Sequence, residues 1–144
     1  LFIMTDERPS LDEMYMNMAY ELARRSSCKR KKVGCLIVRD RTILAEGYNG
    51  TPSGWDNECE DEHGQTKPCV SHAEANAIAK LAKHGISADG GTIYCTLQPC
   101  YDCSKQLADC GIQKVVFDEY YKNASAIHYL QERNIEIEQY EEQN

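Results

Sequence analysis

Two short pieces of this chain carry its chemistry, and both sit where a helix should begin. His72-Ala73-Glu74 opens a helical run to Lys83, and Pro99-Cys100-Tyr101-Asp102-Cys103 opens the next, to Cys110. Together they supply one imidazole, two thiolates and one spare carboxylate. Cys100 and Cys103 are three apart, so a helix puts them on one face of its first turn. The positive end of the helix dipole favours their thiolate forms. Pro99 suits that first turn, where a missing N–H costs nothing. Structural zinc sites are closed by four protein ligands, whereas catalytic ones keep three and an open position. His72, Cys100 and Cys103 are three, which predicts a catalytic ion. Glu74 does not share a helix face with His72, but both can converge on an ion lying off the helix end. Glu74 then stands outside the ligand set, placed to take a proton from water and pass it to a leaving group. Each motif alone is weak, since Cys-x-x-Cys also serves as a redox pair and a histidine at a helix start is commonly a solvated cap residue. Their conjunction, with one strand between them, argues for the metal.

The remaining cysteines divide by context. There are 8 in 144 residues, and since no export signal is expected, metal binding or catalysis is favoured over a disulfide framework. Cys35, Cys95 and Cys110 lie in apolar segments and read as buried small hydrophobes. That leaves Cys28, Cys59 and Cys69 beside the zinc pair. The formal net charge of −7 disfavours long nucleic acid, whose binders carry a basic face. It leaves room for a nucleotide held by one or two local cations. No apolar run reaches the ~20 residues of a membrane helix, and a cytoplasmic protein is expected. Residues 1–3 precede Met4, the expected natural start, and contribute nothing to the fold expectation.

The length predicts a single domain over residues 1–144. Ser10 and Glu13 form a capping box for a first helix running to about Arg25, with Met14, Met18 and Leu22 expected on its core face. Val33–Val38 and Thr42–Tyr48 read as strands joined by a tight hairpin at Arg39-Asp40-Arg41. A long polar loop spans Trp55 to Ser71, a length that usually means function or a metal clip. After the helix at His72, which stops at Gly85, come a strand at Thr92–Thr96, the helix at Cys100, a strand at Lys114–Phe117, a helix near Ala124–Arg133 and a strand at Ile135–Gln139. Strands alternating with helices predict an α/β sheet, in part parallel, with helices packed on its faces. The polar tail from Gln139 is expected to fray.

His-x-Glu followed by Pro-Cys-x-x-Cys is the general signature of zinc nucleobase deaminases. Val33-Gly34, Gly47-Tyr48-Asn49-Gly50-Thr51-Pro52-Ser53-Gly54, His72-Ala73-Glu74-Ala75-Asn76-Ala77-Ile78 and Thr96-Leu97-Gln98-Pro99-Cys100, in that order, resemble the deoxycytidylate (dCMP) deaminase family. The resemblance covers about Leu11 to Gln139, and the Gly-Tyr-Asn-Gly segment is its most specific part. It implies a three-layer αβα fold with a mixed five-stranded sheet. It also implies hydrolysis of dCMP to dUMP and ammonia for thymidylate synthesis. Zinc-activated water would attack C4 while Glu74 protonates N3 and then the amino group. A homohexamer activated by dCTP and inhibited by dTTP with Mg2+ follows from the same resemblance. So do an effector site at Gly47, Tyr48, Asn49 and Gly50 and a sugar contact from Asn49. Tyr121 would pack on the base.

For the substrate phosphate, Arg30 is the cation singled out. Arg24, Arg25, Lys29, Lys31 and Lys32 read as a solvated charge run. As turn and surface residues, Asn49 and Tyr121 would be unremarkable without the resemblance. Some family members hold a second, structural zinc through a cysteine before the first strand and another in the long loop. Cys28 and Cys59 match, with His63 and Cys69 as the remaining candidates. Two other deaminase readings share the metal site. A tRNA adenosine deaminase would want a basic, aromatic mouth, and a free-nucleoside deaminase usually carries cysteine in place of His72. A non-enzymatic zinc protein would have no use for Glu74.

Overall fold

A computed structural model describes residues 6–142 of the chain, so expectations for residues 1–4 lie outside the described residues. The element order is α1 (Leu11–Ala23), β1 (Gly34–Arg39), β2 (Thr42–Tyr48), α2 (Ala73–His84), β3 (Thr92–Leu97), α3 (Tyr101–Asp109), β4 (Lys114–Glu119), α4 (Ala124–Glu132) and β5 (Glu136–Gln139). The strands form one sheet in the order β2-β1-β3-β4-β5. β1 runs antiparallel to both β2 and β3, while β3, β4 and β5 are mutually parallel. The hairpin closes through Asp40 and Arg41, both at positive φ, between the paired Arg39 and Thr42. Two such residues give a turn whose twist matches that of the strands.

Alternation along the strands assigns the two faces. Cys35, Ile37, Ile93, Cys95, Val115 and Phe117 point to the side covered by α2, α3 and α4. Leu36, Val38, Tyr94 and Val116 point to the other, where α1 packs alone. The result is three layers. Polar ties fix α1 in place: Tyr94 donates to Asp12 at 2.6 Å, and Tyr20 donates to Asp118.

The face that α1 buries is not the expected one. Tyr15, Met16, Ala19 and Ala23 are inside, whereas Met14 and Met18 are each 37% exposed and Leu22 is half-buried. Gly34 explains the choice, because a Cβ there would sit 2.1 Å from the Ala19 carbonyl oxygen. Helix and strand touch backbone to backbone, so the small residues of α1 must face the sheet. Cys110 is only half-buried, and Tyr140 is tied back by its N–H to the Phe117 carbonyl at 2.7 Å. The described part of the tail is therefore anchored rather than frayed.

Gly47 repeats the device on the opposite face. A Cβ there would lie 2.2 Å from the carbonyl oxygen of Ala73, in the first turn of α2. Substituting Gly47→Ala must push that turn outward, and a loss of about 2–4 kcal/mol in denaturant unfolding is expected, with weaker metal retention. Gly50→Ala, which meets open space, should change stability by less than about 0.5 kcal/mol.

Candidate active site

Two helix N-termini converge beyond the C-terminal end of the central strand β3. His72 is the N-cap of α2, in extended backbone, and its side chain makes no capping bond. Cys100 is the N-cap of α3, and its sulfur accepts from the Cys103 N–H at 3.4 Å. Both helices thus begin one residue later than expected, and Pro99 lies before the cap of α3 rather than in its first turn. The uncommitted imidazole of His72 faces the sulfurs instead. Its Nδ1 lies 3.5 Å from Cys100 Sγ and 3.4 Å from Cys103 Sγ. Zn–S bonds of about 2.3 Å and Zn–N bonds of about 2.0–2.1 Å in a tetrahedron put such donors about 3.5 Å apart. The separations and the donor chemistry fit zinc.

The protonation of the set points the same way. Hydrogen bonds from Cys103 and His72 lower the Cys100 thiol to about 4, despite partial burial. Cys103, as the donor to Cys100 and as a buried group, holds its proton far more tightly. The hydrogen bond to Cys100 raises His72. A proton is therefore shared within a cluster already biased toward thiolate, and metal binding would displace it.

Glu74 follows one turn-step inside α2 and is 4% exposed. Burial raises its pKa, while a hydrogen bond with Cys103 and its own backbone N–H partly offset this. Beneath it lie Cys35 and Cys95, which pair across β1 and β3. Burial first, and the neighbouring Glu74 charge next, push both thiols up. They are neutral filling under a carboxylate.

The cleft above these groups has a volume of about 430 Å³ and is bordered by Arg30, Lys31, Asn49, Glu119, Tyr120 and Tyr121 besides the metal-site residues. Arg30 and Tyr121 thus stand at the same cleft as His72 and Glu74. Asn49 is there too, but its amide is already engaged: Nδ2 donates to the Lys31 carbonyl at 2.8 Å and Oδ1 accepts from the Val33 N–H at 2.9 Å. It clamps the segment entering β1. On its far side Asn49 also borders a second cavity, of about 720 Å³, shared with Gly47, Tyr48, Gly50, Arg25, Lys80 and Lys83.

The charge run before β1 is exposed, as expected, and three of its members make contacts. Lys31 bridges to Glu119, Lys32 donates to the Ser26 carbonyl, and Arg25 lies over the Tyr48 ring at 5.9 Å. Of the second set, Cys28 and Cys59 lie together and His63 and Cys69 do not join them among the described residues. Cys28 and Cys59 form a disulfide with Glu60 as the next donor, His63 is exposed beside Glu62, and Cys69 is a free thiol apart from them. Glu60 accepts from the N–H groups of Lys29 and Arg30 at 3.2 and 3.3 Å. The long loop is thereby fastened to the segment before β1 through a covalent link and a carboxylate. Lys31, Glu119 and Gln98 were not singled out from sequence, although Gln98 sits inside the Thr96–Cys100 motif.

Burial holds a proton on Glu74 to higher pH than in the unfolded chain, so the stability of the metal-stripped fold falls as pH rises through that interval. Glu74→Gln removes this cost. The metal-stripped variant should have a higher thermal midpoint than metal-stripped wild type at about pH 8, the gap closing below about pH 4.5, where both states are protonated. Equal midpoints at the higher pH would contradict the burial argument.

Comparison with known proteins places this geometry. The profile of the cytidine and deoxycytidylate deaminase zinc-binding region matches residues 9–119. ComE operon protein 2 of Bacillus subtilis is 38% identical over 94% of this chain and 74% of its own length. The deoxycytidylate deaminase of Mycobacterium phage D29 is 36% identical over 76% of this chain and 95% of its own. The chain spans only 45% of the Schizosaccharomyces pombe deoxycytidylate deaminase, to which it is 33% identical. The crystal structure of dCMP deaminase from the cyanophage S-TIM5 in complex with dCMP and dUMP superposes with a TM-score of 0.88 at 44% identity, covering 93% of this chain and 99% of that one. A three-donor zinc site with a buried carboxylate beside it, on this sheet and in this order, makes the chain a member of the cytidine and deoxycytidylate deaminase family.

Proposed function

We propose that the protein hydrolyses dCMP to dUMP and ammonia, supplying dUMP for dTTP synthesis. The observation that carries this reading is the constellation of His72, Cys100 and Cys103 with Glu74 at the foot of one cleft. The likeness to a phage dCMP deaminase bound to dCMP and dUMP supports the choice of substrate. Zinc held by the imidazole and two thiolates supplies Lewis-acid activation of a water molecule at neutral pH.

The chain's own residues do the rest. Glu74 takes one proton from water at a carboxylate oxygen and returns it to N3 of the pyrimidine. It then takes the second water proton, from the hydroxyl now on C4, and delivers it to the departing amino group as the C4 oxygen becomes the carbonyl. Oxygen is gained at C4 as the C4–N bond breaks, so dCMP and water give dUMP and ammonia. A carboxylate with a raised pKa suits both accepting and returning a proton near neutrality. Low exposure keeps that exchange away from bulk water. Tyr121 offers a ring to the base, Asn49 borders the sugar, and Arg30 is the cation for the phosphate.

The second cavity supports regulation by dCTP as activator and by dTTP with Mg2+ as inhibitor. It is lined by Gly47, Tyr48, Asn49 and Gly50, and Arg25, Lys80 and Lys83 supply positive charge for a polyphosphate. Lys80 is paired with Glu46 at 2.9 Å, leaving Arg25 and Lys83 as the freer cations among these three. A homohexamer is the assembly expected of such an enzyme. Among the described residues no helix is long and apolar enough to cross a membrane.

Ammonia release from dCMP, from cytidine and from a tRNA anticodon stem tests the substrate. Turnover of dCMP is expected, and activity confined to cytidine or to the stem would overturn the reading. Glu74→Ala should retain one zinc at His72, Cys100 and Cys103 while kcat falls at least about 10²–10⁴-fold, the usual worth of a general acid–base. An unchanged kcat would remove the mechanism. Initial rates should rise with dCTP and fall with dTTP and Mg2+, and insensitivity to both would remove the regulatory part alone.

A further inference from the structure

Gln98 lies between β3 and the zinc-site helix and is 3% exposed. It makes three hydrogen bonds, all to one short segment. Its backbone N–H donates to the Glu119 carbonyl at 2.8 Å. Its side-chain Oε1 accepts from the Tyr121 N–H at 3.3 Å, and its Nε2 donates to the Asn123 carbonyl at 3.0 Å. The segment from Glu119 to Asn123 joins β4 to α4, turns through Lys122 at positive φ, and ends at Asn123, the N-cap of α4. Glu119, Tyr120 and Tyr121 form one wall of the cleft. Tyr121 is 52% exposed and Tyr120 50%, so their own packing does little to hold that wall. A buried amide with both ends committed to alternate residues of an exposed segment is a strut.

We infer that Gln98 is a positioning residue, which sets the 119–123 wall against the substrate and so governs how tightly the nucleotide is held. The inference rests on the proposed substrate only for its kinetic consequence. Gln98 borders the same cleft, but its side-chain hydrogen bonds go to the 119–123 segment and not to the metal donors or Glu74. Removing its amide should therefore loosen binding more than it slows the chemical step. The backbone bond to Glu119 survives substitution, so β4 should keep its register.

Gln98→Met keeps length and volume while leaving the Tyr121 N–H and the Asn123 carbonyl without partners. With the zinc-loaded enzyme, KM for dCMP should rise about 5–20-fold with kcat within about 3-fold, the pattern of lost uniform binding. Zinc content should stay that of wild type. Hydrogen exchange should quicken at the amides of 120–124 and stay unchanged through α2 and α3. Gln98→Glu, which keeps the acceptor for the Tyr121 N–H, should lie between wild type and Gln98→Met in both readouts, and it alone decides the matter if Gln98→Met does not fold. Unchanged exchange at 120–124 would overturn the inference, as would a fall in kcat with loss of zinc and no change in KM. A wild-type enzyme inactive on dCMP would instead overturn the substrate, and the exchange result would still decide the role of Gln98.

Discussion

The meeting of two helix N-termini is the constraint on which the site depends. An α-helix leaves its first N–H groups unpaired and its start electropositive. Here two starts face the same small volume, and each places its cap residue there. That choice has opposite costs on the two helices. Cys100 caps α3 and faces the cluster with the same sulfur, so its bond from the Cys103 N–H favours a thiolate. His72 cannot do both; its ring has turned to the sulfurs and α2 goes without a side-chain cap. Glu74 shares the positive end of α2 and yet keeps a raised pKa, because burial outweighs the nearby cap and hydrogen bonds. Three electronegative groups can share one pocket only because two helix ends, and a cation when bound, face them.

Backbone-to-backbone contact sets where those helices lie. Gly47 on β2 lets the first turn of α2 approach until its Ala73 carbonyl nearly touches the strand, and Gly34 on β1 does the same for α1. Residue type at 47 thus reaches Glu74 through one helical turn, without any contact with substrate. In the resemblance Gly47 belongs to an effector segment. In the fold it is also the spacer under the zinc site, and it borders the second cavity as well.

What could be read from sequence follows from how local each signal is. The candidate metal donors lie within two motifs, each confined to one helix start, so spacing alone could single them out, and the structure brings their donor atoms together. The α/β class, with a sheet in part parallel and helices on its faces, followed from alternating strands and helices. The α1 face was misread for a physical reason: Met14, Met18 and Leu22 outweigh Ala19 and Ala23 in apolar mass, but the close approach of α1 to β1 at Gly34 admits only small residues, and the face it selects carries Tyr15 and Met16 inward instead. The residues bordering the cleft were harder to read from spacing, and Arg30, Asn49 and Tyr121 were named only singly or through the resemblance. Arg30, Asn49, Gln98 and Tyr121 each come from a different connection, and nothing in their spacing says they share a cleft. The Lys31–Glu119 pair could not be read from sequence because its partners are 88 residues apart. The Cys28–Cys59 pair was singled out together, but spacing could not distinguish a disulfide from half a metal site.

That distribution also bears on how an acidic chain can hold an anionic nucleotide. The net charge of −7 acts through solvent over a screening length of about 8–10 Å, whereas Arg30 and Lys31 stand at the cleft itself. Lys31 is paired with Glu119, yet both side chains are about half exposed, at 47% and 48%. Exposed pairs of this kind contribute about 0–1 kcal/mol. A phosphate carrying more charge than one carboxylate can therefore take Lys31 from Glu119 at little cost. Glu60 is held differently, by two consecutive backbone N–H groups and beside a covalent link, so it is the harder anion to displace. The mouth of the cleft thus presents one yielding and one fixed carboxylate. Phosphate recognition there would turn on Lys31 as much as on Arg30, with Glu119 as the group that must give way.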